Sequence, residues 1–405
     1  MGKYWSAMAR DAGLVLGLDI GSSQIDAVIA DVGHANEIIV RGVGRSLSNG
    51  LDKGKVVAQS ELVASIDRAL KRAEREVGIR ARNVVISVPQ YEMYFGYSSG
   101  LSIPRAAGGR ISDDDKALAI HKSKKMIKST DQLILHALPV EYLIDGAPVE
   151  DPLGKVGPSL EVTTHFVLAN LHNVNALLQV MHQLQLHVAG IVYAPIAGAQ
   201  MFLSTMERRE GGVLIDIGAR YTSVSFFKRD ILQSTFVVPV GGDMISMDLA
   251  QCLSVTLPEA ERVKIKYGSV DLDHVAYRDK FEMSSLERGR IEIKRQYMCK
   301  IIHSRVEELF RIIKRRAGIG PEFPYDIVVS GGTSQINGIA ALASRVLGHN
   351  VRVGPPGKDP AHQVHSRYGT ALGLVSYGLK TGAIVPYETP PGFLSRLNRK
   401  LSRWF

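Results

Sequence analysis

Val15-Leu16-Gly17-Leu18-Asp19-Ile20-Gly21-Ser22-Ser23 decides the fold of this chain. An apolar strand ends on an aspartate, a glycine opens a turn, small hydroxyl residues follow, and Ile25 to Ile29 starts a second apolar strand. The pattern returns as Val213-Leu214-Ile215-Asp216-Ile217-Gly218-Ala219-Arg220-Tyr221-Thr222, with Val224 to Phe227 as its second strand. A third glycine turn, Ser330-Gly331-Gly332-Thr333, ends the apolar run Ile327 to Val329 and leads on to Gly338. Backbone N–H groups in such turns converge on a concavity that binds anions. Glycine lets the main chain come close to a ligand. One Asp-Ile-Gly is common in α/β proteins. Two copies half a chain apart, plus the third turn, indicate a phosphate-binding hairpin made twice. Asp19 and Asp216 are then placed to hold Mg²⁺ through its water shell.

The 405 residues exceed what one hydrophobic core usually supports, so two or more domains are expected. A hydrophobic share of 45% with 22% charged residues is that of a globular protein in water. The two cysteines, Cys252 and Cys299, make neither a disulfide framework nor a metal pattern, which fits a reducing cytosol. The histidines form no zinc spacing. No signal sequence is expected at the polar N-terminus, and no run approaches the ~20 apolar residues of a membrane span. The net charge of +9 is concentrated in two places. Glu287 to Arg316 holds ten Lys/Arg against four Asp/Glu, and Gly392 to Phe405 holds four basic residues and no acid. Neither segment interleaves aromatics with basics for base stacking, so no nucleic-acid partner is expected.

Along the chain, strands are read at Leu14–Ile20, Ile25–Asp31, Glu37–Val43 and Asn83–Val88, with a helix over Ser60–Glu76 ended by Gly78. Residues 89–164 interrupt that order: a capping-box helix begins at Ser112-Asp113-Asp114-Asp115, followed by a strand Leu133–Leu138 and Pro/Gly-rich loops. The helix lysines Lys122, Lys124, Lys125 and Lys128 suit its C-terminal dipole. The order resumes with strands Thr163–Leu168 and Val188–Val192 around a helix Val174–Gln185, then a helix Pro195–Met206. The second half repeats the hairpin and adds Gly241-Gly242 opening a helix, a helix Pro258–Tyr267 and a long basic helix Ser284–Ala317. After the third turn come a helix Gly338–Leu347, a strand near Val351–Val353 and the small-residue helix Tyr368-Gly369-Thr370-Ala371-Leu372-Gly373-Leu374.

The paired hairpins and third turn resemble the actin, sugar-kinase and heat-shock chaperone superfamily. Further segments narrow the likeness: Gly50-Leu51-Asp52-Lys53-Gly54, Pro139-Val140-Glu141-Tyr142-Leu143-Ile144-Asp145, Ser330 to Gly338, Tyr368 to Leu374, and the amphipathic C-terminus. Together they resemble the FtsA family over essentially the whole chain. The resemblance implies an α/β actin-like ATPase fold, with two RNase H-like domains flanking a nucleotide cleft, a 1C insertion and a C-terminal amphipathic helix. The implied boundaries are 1A at 1–88 and 165–210, 1C at 89–164, 2A at 211–240 and 324–366, and 2B at 241–323. Residues 367–385 give a closing helix of 1A, 386–391 a linker and 392–405 the membrane-targeting helix. It further implies ATP and Mg²⁺ as cofactors, head-to-tail self-polymerisation, the acidic C-terminal peptide of FtsZ as partner on 2B, and downstream division proteins on 1C. The location implied is the inner face of the cytoplasmic membrane at the division site. A PilM-type pilus assembly protein and a sugar-kinase-like enzyme are the alternatives.

Gly21, Ser22 and Ser23 are expected to hold phosphate from one domain and Gly218, Ala219 and Arg220 from the other, with Gly241 and Gly242 as further cofactor-binding candidates. Glu261 and Lys264, three apart on one helix face, are candidates for the ribose and adenine edge. Gly331, Gly332, Thr333 and Gln335 are candidates for the adenosine. Asp216-Ile217-Gly218-Ala219-Arg220 departs from the Gly-Gly-Gly-Thr of many relatives, and no residue stands out as a base for attacking water. Nucleotide binding with slow hydrolysis at most is therefore expected.

On a helical wheel, Phe393, Leu394, Leu397, Leu401, Trp404 and Phe405 share an arc of roughly 120°. Arg396, Arg399 and Arg403 lie opposite, with Lys400 at the border where its stem can snorkel. Such a helix is ~21 Å long, too short for a ~30 Å hydrocarbon core, and suits the interface of an anionic membrane. The resemblance places the partner peptide on the other basic segment, with Arg288, Lys294, Arg295 and Tyr297 as candidates. Arg295-Gln296-Tyr297 stands where relatives carry Glu-Pro-Arg or Glu-Ala-Arg.

Overall fold

The computed structural model describes residues 14–32, 38–78, 80–90, 92–127, 129–286, 289–356 and 367–381. The chain divides into two compact units. One gathers residues up to Met201, the short stretch Ile231–Ser234 and the segment from Tyr368; the other gathers Phe202–Asp230 and Thr235–Arg367.

The first unit is built on a five-stranded sheet in the order His187–Tyr193, Asn83–Val88, Leu14–Ile20, Gln24–Val32, Ile38–Leu47. Its first three strands are parallel and the rest antiparallel. The apolar alternation of Leu16, Leu18 and Ile20 buries one face against the helix Gln59–Val77, whose Leu62, Ile66, Ala69 and Ala73 are fully buried. The helix Gly369–Lys380 covers the opposite face. Gly17 explains how closely: a Cβ there would lie 2.0 Å from the Ala371 carbonyl oxygen. Gly17 therefore serves helix packing, and the turn chemistry begins at Gly21.

A second sheet of the same unit is antiparallel, in the order Met93–Ser102, Leu160–Asn170, Gln132–Ile144, Ala147–Val149. The helix Asp113–Lys125 packs on it through Ala119 and Ile120, against Tyr142, Ile144, Leu160 and Val162. Its capping box is formed as expected, Ser112 accepting from Asp115 N–H and Asp115 accepting from Ser112 N–H. Two expected limits move. The strand read as Leu133–Leu138 continues through Pro139 to Ile144, because the register slips between Thr163 and Thr164 just where Pro139 pairs. A β-bulge is where a strand tolerates a proline. The expected boundary at 164 falls inside the strand Leu160–Asn170, so the inserted sheet runs past it.

The other five-stranded sheet has the order Ile231–Val238, Thr222–Lys228, Gly212–Ile217, Asp326–Ser330, Val351–Val353. Order and pairing directions repeat the first sheet: an antiparallel three-strand meander, then parallel strands beside its first member. The core packs Val213, Ile215 and Ile217 with Ile302, Val306, Phe310 and Ile313 of the long helix Arg295–Ala317. That helix is shorter than expected. Residues read as its start form a hairpin, Lys280–Ser285 with Gly289–Lys294. Gly289 sits at φ +68°, and Arg290-Ile291-Glu292-Ile293-Lys294 alternates with period two, which suits a strand. Likewise, the single helix expected over Pro195–Met206 is two, Ala194–Phe202 and Thr205–Glu210. Ser204 caps the second reciprocally with Glu207. Among the described residues no helix is long and apolar enough to cross a membrane.

Candidate nucleotide half-sites

Each sheet carries one glycine turn at the same place, and the two turns match residue by residue. Ile20 pairs with Ile25 and Ile217 with Thr222, leaving four residues between them in both hairpins. The Gly21 N–H donates to the Gln24 carbonyl at 3.0 Å, and the Gly218 N–H to the Tyr221 carbonyl at 3.0 Å. Ser22 thus corresponds to Ala219, and Ser23 to Arg220.

The aspartates match as well. Ser87, on the neighbouring parallel strand, donates its hydroxyl to Asp19 Oδ1 at 2.6 Å and accepts from the Ile20 N–H at 2.9 Å. Ser330, on the equivalent strand of the second sheet, donates to Asp216 Oδ1 at 3.2 Å. Burial raises the Asp216 carboxyl above the ordinary aspartate range, and the Ser330 hydrogen bond opposes it. A half-buried carboxylate at the C-terminal end of a strand, held by one serine, suits the water shell of Mg²⁺. Among the described residues no cluster of three or more metal-ligating side chains exists, so an ion here would rest on water and phosphate oxygens. Neither serine was among the expected site residues. Their signal is positional: each ends a parallel strand beside an Asp-Ile-Gly strand.

Around the second turn the structure assembles most of the expected residues. The Gly242 N–H donates to the Gly218 carbonyl at 2.9 Å and the Asp243 N–H to the Ala219 carbonyl at 2.8 Å. These bonds seat the helix Gly242–Leu253 on the turn. Thr333 Oγ1 donates to the same Gly218 carbonyl at 3.1 Å, tying in the third turn. Gly331 has φ +89°, and a Cβ there would lie 2.4 Å from the Ile217 carbonyl oxygen and 2.6 Å from Asp216 Oδ1. Gly332 differs: a Cβ there would meet nothing within 4 Å. Gln335 is exposed at the end of the short 3₁₀ turn.

Glu261 and Lys264 lie on the helix Leu257–Tyr267. Lys264 is only 8% exposed, so this is no surface ion pair. Its Nζ donates to Glu261 Oε2 at 2.6 Å and to the Gly242 carbonyl at 2.9 Å, and Ser246 donates to the same Glu261 oxygen. Arg220 Nε pairs with Asp243 Oδ2 at 2.7 Å. Asp243 was not anticipated; burial raises its carboxyl, while Arg220 and then Lys264 pull it down and Glu261 opposes them.

The partner-peptide candidates are distributed differently. Arg288 and the whole of Phe393, Leu394, Arg396, Leu397, Arg399, Lys400, Leu401, Arg403, Trp404 and Phe405 lie outside the described residues. Arg295 is committed to the fold: its Nε donates to the Tyr267 carbonyl at 2.8 Å and its guanidinium pairs with Asp279 at 3.4 Å. Lys294 precedes the helix and lies 4.7 Å from the Tyr277 ring centroid. Tyr277 and Tyr297 are 68% and 51% exposed. Much of the basic helix is neutralised internally: Arg305 pairs with Asp248 and Glu308, and Arg311 with Glu307.

Two meander-plus-parallel sheets with matched glycine turns at the same strand ends define an actin-like fold. Solved structures agree: a PilM–PilN type IV pilus biogenesis complex matches at 19% identity and TM-score 0.66, over 90% of this chain and 98% of that one. MreB5 of Spiroplasma citri bound to ADP matches at 12% identity and TM-score 0.53, over 92% and 98%. At these identities the likeness is one of fold. The family is set by sequence. The profile described as cell division protein FtsA matches residues 213–373, and that of the SHS2 domain inserted in FtsA matches 95–168, which is the four-stranded inserted sheet. Cell division protein FtsA of Pseudomonas aeruginosa is 29% identical over 382 residues, covering 92% of this chain and 91% of that protein. The Bacillus subtilis protein is 29% identical over 380 residues, covering 92% and 84%. The chain belongs to the FtsA family of cell division proteins.

Proposed function

We propose that this chain binds Mg²⁺-ATP through its glycine turns, and that it polymerises and tethers FtsZ filaments to the cytoplasmic membrane at the division site. The observation that carries the nucleotide reading is the duplication itself. The same turn, the same aspartate and the same serine recur at equivalent ends of two sheets. Asp19 and Asp216 order the waters of the metal, Gly21 to Ser23 and Gly218 to Arg220 hold phosphate, and Glu261, Lys264, Gly331 and Gly332 border the nucleoside. Bound magnesium neutralises phosphate charge; the chain's own share is the converging N–H groups and the carboxylates that orient the water shell. Hydrolysis is proposed to be slow at most.

Titration with a fluorescent ATP analogue in the presence and absence of Mg²⁺ tests this directly. Micromolar binding that weakens with EDTA is expected. Absence of binding by the folded chain would reject the site.

The tail Gly392 to Phe405 acts as the membrane anchor through its apolar arc and its four cations. Its deletion is expected to abolish co-sedimentation with anionic vesicles while ATP binding survives; persistent co-sedimentation would place the anchor elsewhere. The acidic FtsZ peptide docks beside Lys294, with Tyr277 and Tyr297 as its exposed aromatic borders. Because Arg295 is tied to Tyr267 and Asp279, reversing its charge would disturb the fold, and Lys294→Glu is the cleaner probe. It is expected to weaken a labelled peptide roughly tenfold at low salt and less at high salt, since exposed charges are screened over about 8–10 Å.

A further inference from the structure

The two turns differ most at their third position. Ser23 is exposed in the first, whereas Arg220 in the second is held by Asp243 at 2.7 Å, the two side chains being 38% and 33% exposed. Asp243 is held in turn through its backbone, its N–H donating to the Ala219 carbonyl. Turn and helix start are therefore clasped by two backbone hydrogen bonds and by an ion pair. The other nearby cation, Lys264, is taken up by Glu261 and the Gly242 carbonyl. Arg220, Asp243, Glu261 and Lys264 sum to zero charge. An anion reaching this turn meets, among these four, two cations already paired and two carboxylates of its own sign.

We propose that Asp243 is an internal competitor for the phosphate, occupying Arg220 until a nucleoside triphosphate displaces it, so that this pair sets the affinity and the phosphate-number preference of the second half-site. The inference rests on the turns being a nucleotide site. A phosphate carries more charge and more acceptor oxygens than the Asp243 carboxylate that holds Arg220 Nε at 2.7 Å, and charge-assisted bidentate pairs are the strong ones. Transfer of Arg220 leaves the Asp243 carboxylate facing phosphate oxygens, a like-charge contact that opposes binding. A triphosphate, reaching further and carrying more charge, overcomes this better than a monophosphate. In the first turn no such pair involves Ser23, so the two halves play different parts: one receives phosphate through neutral groups, the other only by exchange of partners.

The test is a double-mutant cycle on the full chain, read with ATP, ADP, AMP and adenosine in excess Mg²⁺. Asp243→Asn is expected to tighten ATP about tenfold and AMP by less than threefold. Arg220→Ala, which leaves the carboxylate uncompensated, is expected to weaken ATP at least tenfold. The double variant returns to within about threefold of wild type, and Arg220→Lys keeps part of the ATP preference. Adenosine binding stays unchanged throughout, which a merely structural role for the pair would not predict. ATP affinity that is unchanged or weakened in Asp243→Asn, while the wild-type chain binds ATP, overturns this inference alone. Failure of the folded wild-type chain to bind any of the four ligands overturns the site as well.

Discussion

The first turn and the second are the same structure put to different use. In the first, the Ser48 N–H donates to the Ser23 carbonyl and Gln24 pairs with Leu47 of the neighbouring strand, and Ser22 and Ser23 keep short neutral side chains. In the second, two helix N–H groups and the Thr333 hydroxyl are bonded to turn carbonyls, and an ion pair lies across it. The difference shows how a duplicated fold divides labour. The backbone geometry of the turn is retained in both copies, because it follows from Asp-Ile-Gly at the end of a strand. The side chains around it are free to diverge, because each packs against different later elements.

The largest expected effect tests whether both turns are needed. Gly332→Asp places a carboxylate where a Cβ meets nothing, so the fold is expected to survive while ATP affinity falls at least a hundredfold. Gly21→Asp is expected to abolish binding too, but with a lower melting temperature, because a Cβ there would lie 2.7 Å from the Gln24 carbonyl. Calorimetric melts beside ATP titrations separate the two. If Gly332→Asp binds ATP normally, the third turn does not border the ligand.

A middle-sized effect contrasts the two units in acid. The first unit buries His136, whose imidazole is pushed down to about 3 by burial and then by nearby His165, itself lowered mainly by burial. Both are held neutral, so the folded state binds fewer protons than the unfolded chain below pH 6.5. Stability is fully present above about pH 6.5 and is lost as pH falls from there toward the folded value near 3. The buried carboxyl Asp216 of the second unit is raised, which has the opposite sign: its penalty eases as pH falls. Amide protection factors, corrected for the intrinsic pH dependence of exchange, are expected to fall first between pH 7 and pH 5 in Gln132–Ile144 and His187–Tyr193, since His136 Nε2 accepts the Tyr193 N–H. Equal change in both units would show that these histidines do not govern acid stability.

The smallest effect compares the two serines. Ser87 makes two bonds, including a 2.6 Å one to Asp19, whereas Ser330 makes one of 3.2 Å to Asp216. Ser87→Ala is expected to cost about 1–2 kcal/mol of stability and Ser330→Ala about 0.5–1 kcal/mol. Chemical denaturation measures both, and the reverse order would mean the carboxylates are oriented by other groups.

The sequence alone determined what depends on neighbours along the chain. Strand-turn-strand hairpins, the capping box at Ser112, the Gly78 stop and the apolar face of Gln59–Val77 are all local matters of period, φ and hydrogen-bond valence. So were the glycine turns. Where local signals conflicted, the prior for a long basic helix lost to Gly289 and a period-two run, and the expected break at Pro139 lost to a bulge set by the partner strand. Only the tertiary structure decided which side chains meet across long separations: Ser87 with Asp19, Ser330 with Asp216, Arg220 with Asp243, Lys264 with Gly242, Arg295 with Tyr267. The reason is physical. A turn's backbone is shaped by the residues in it, but the partner of a charge is whatever the packing of distant strands and helices brings within 3 Å.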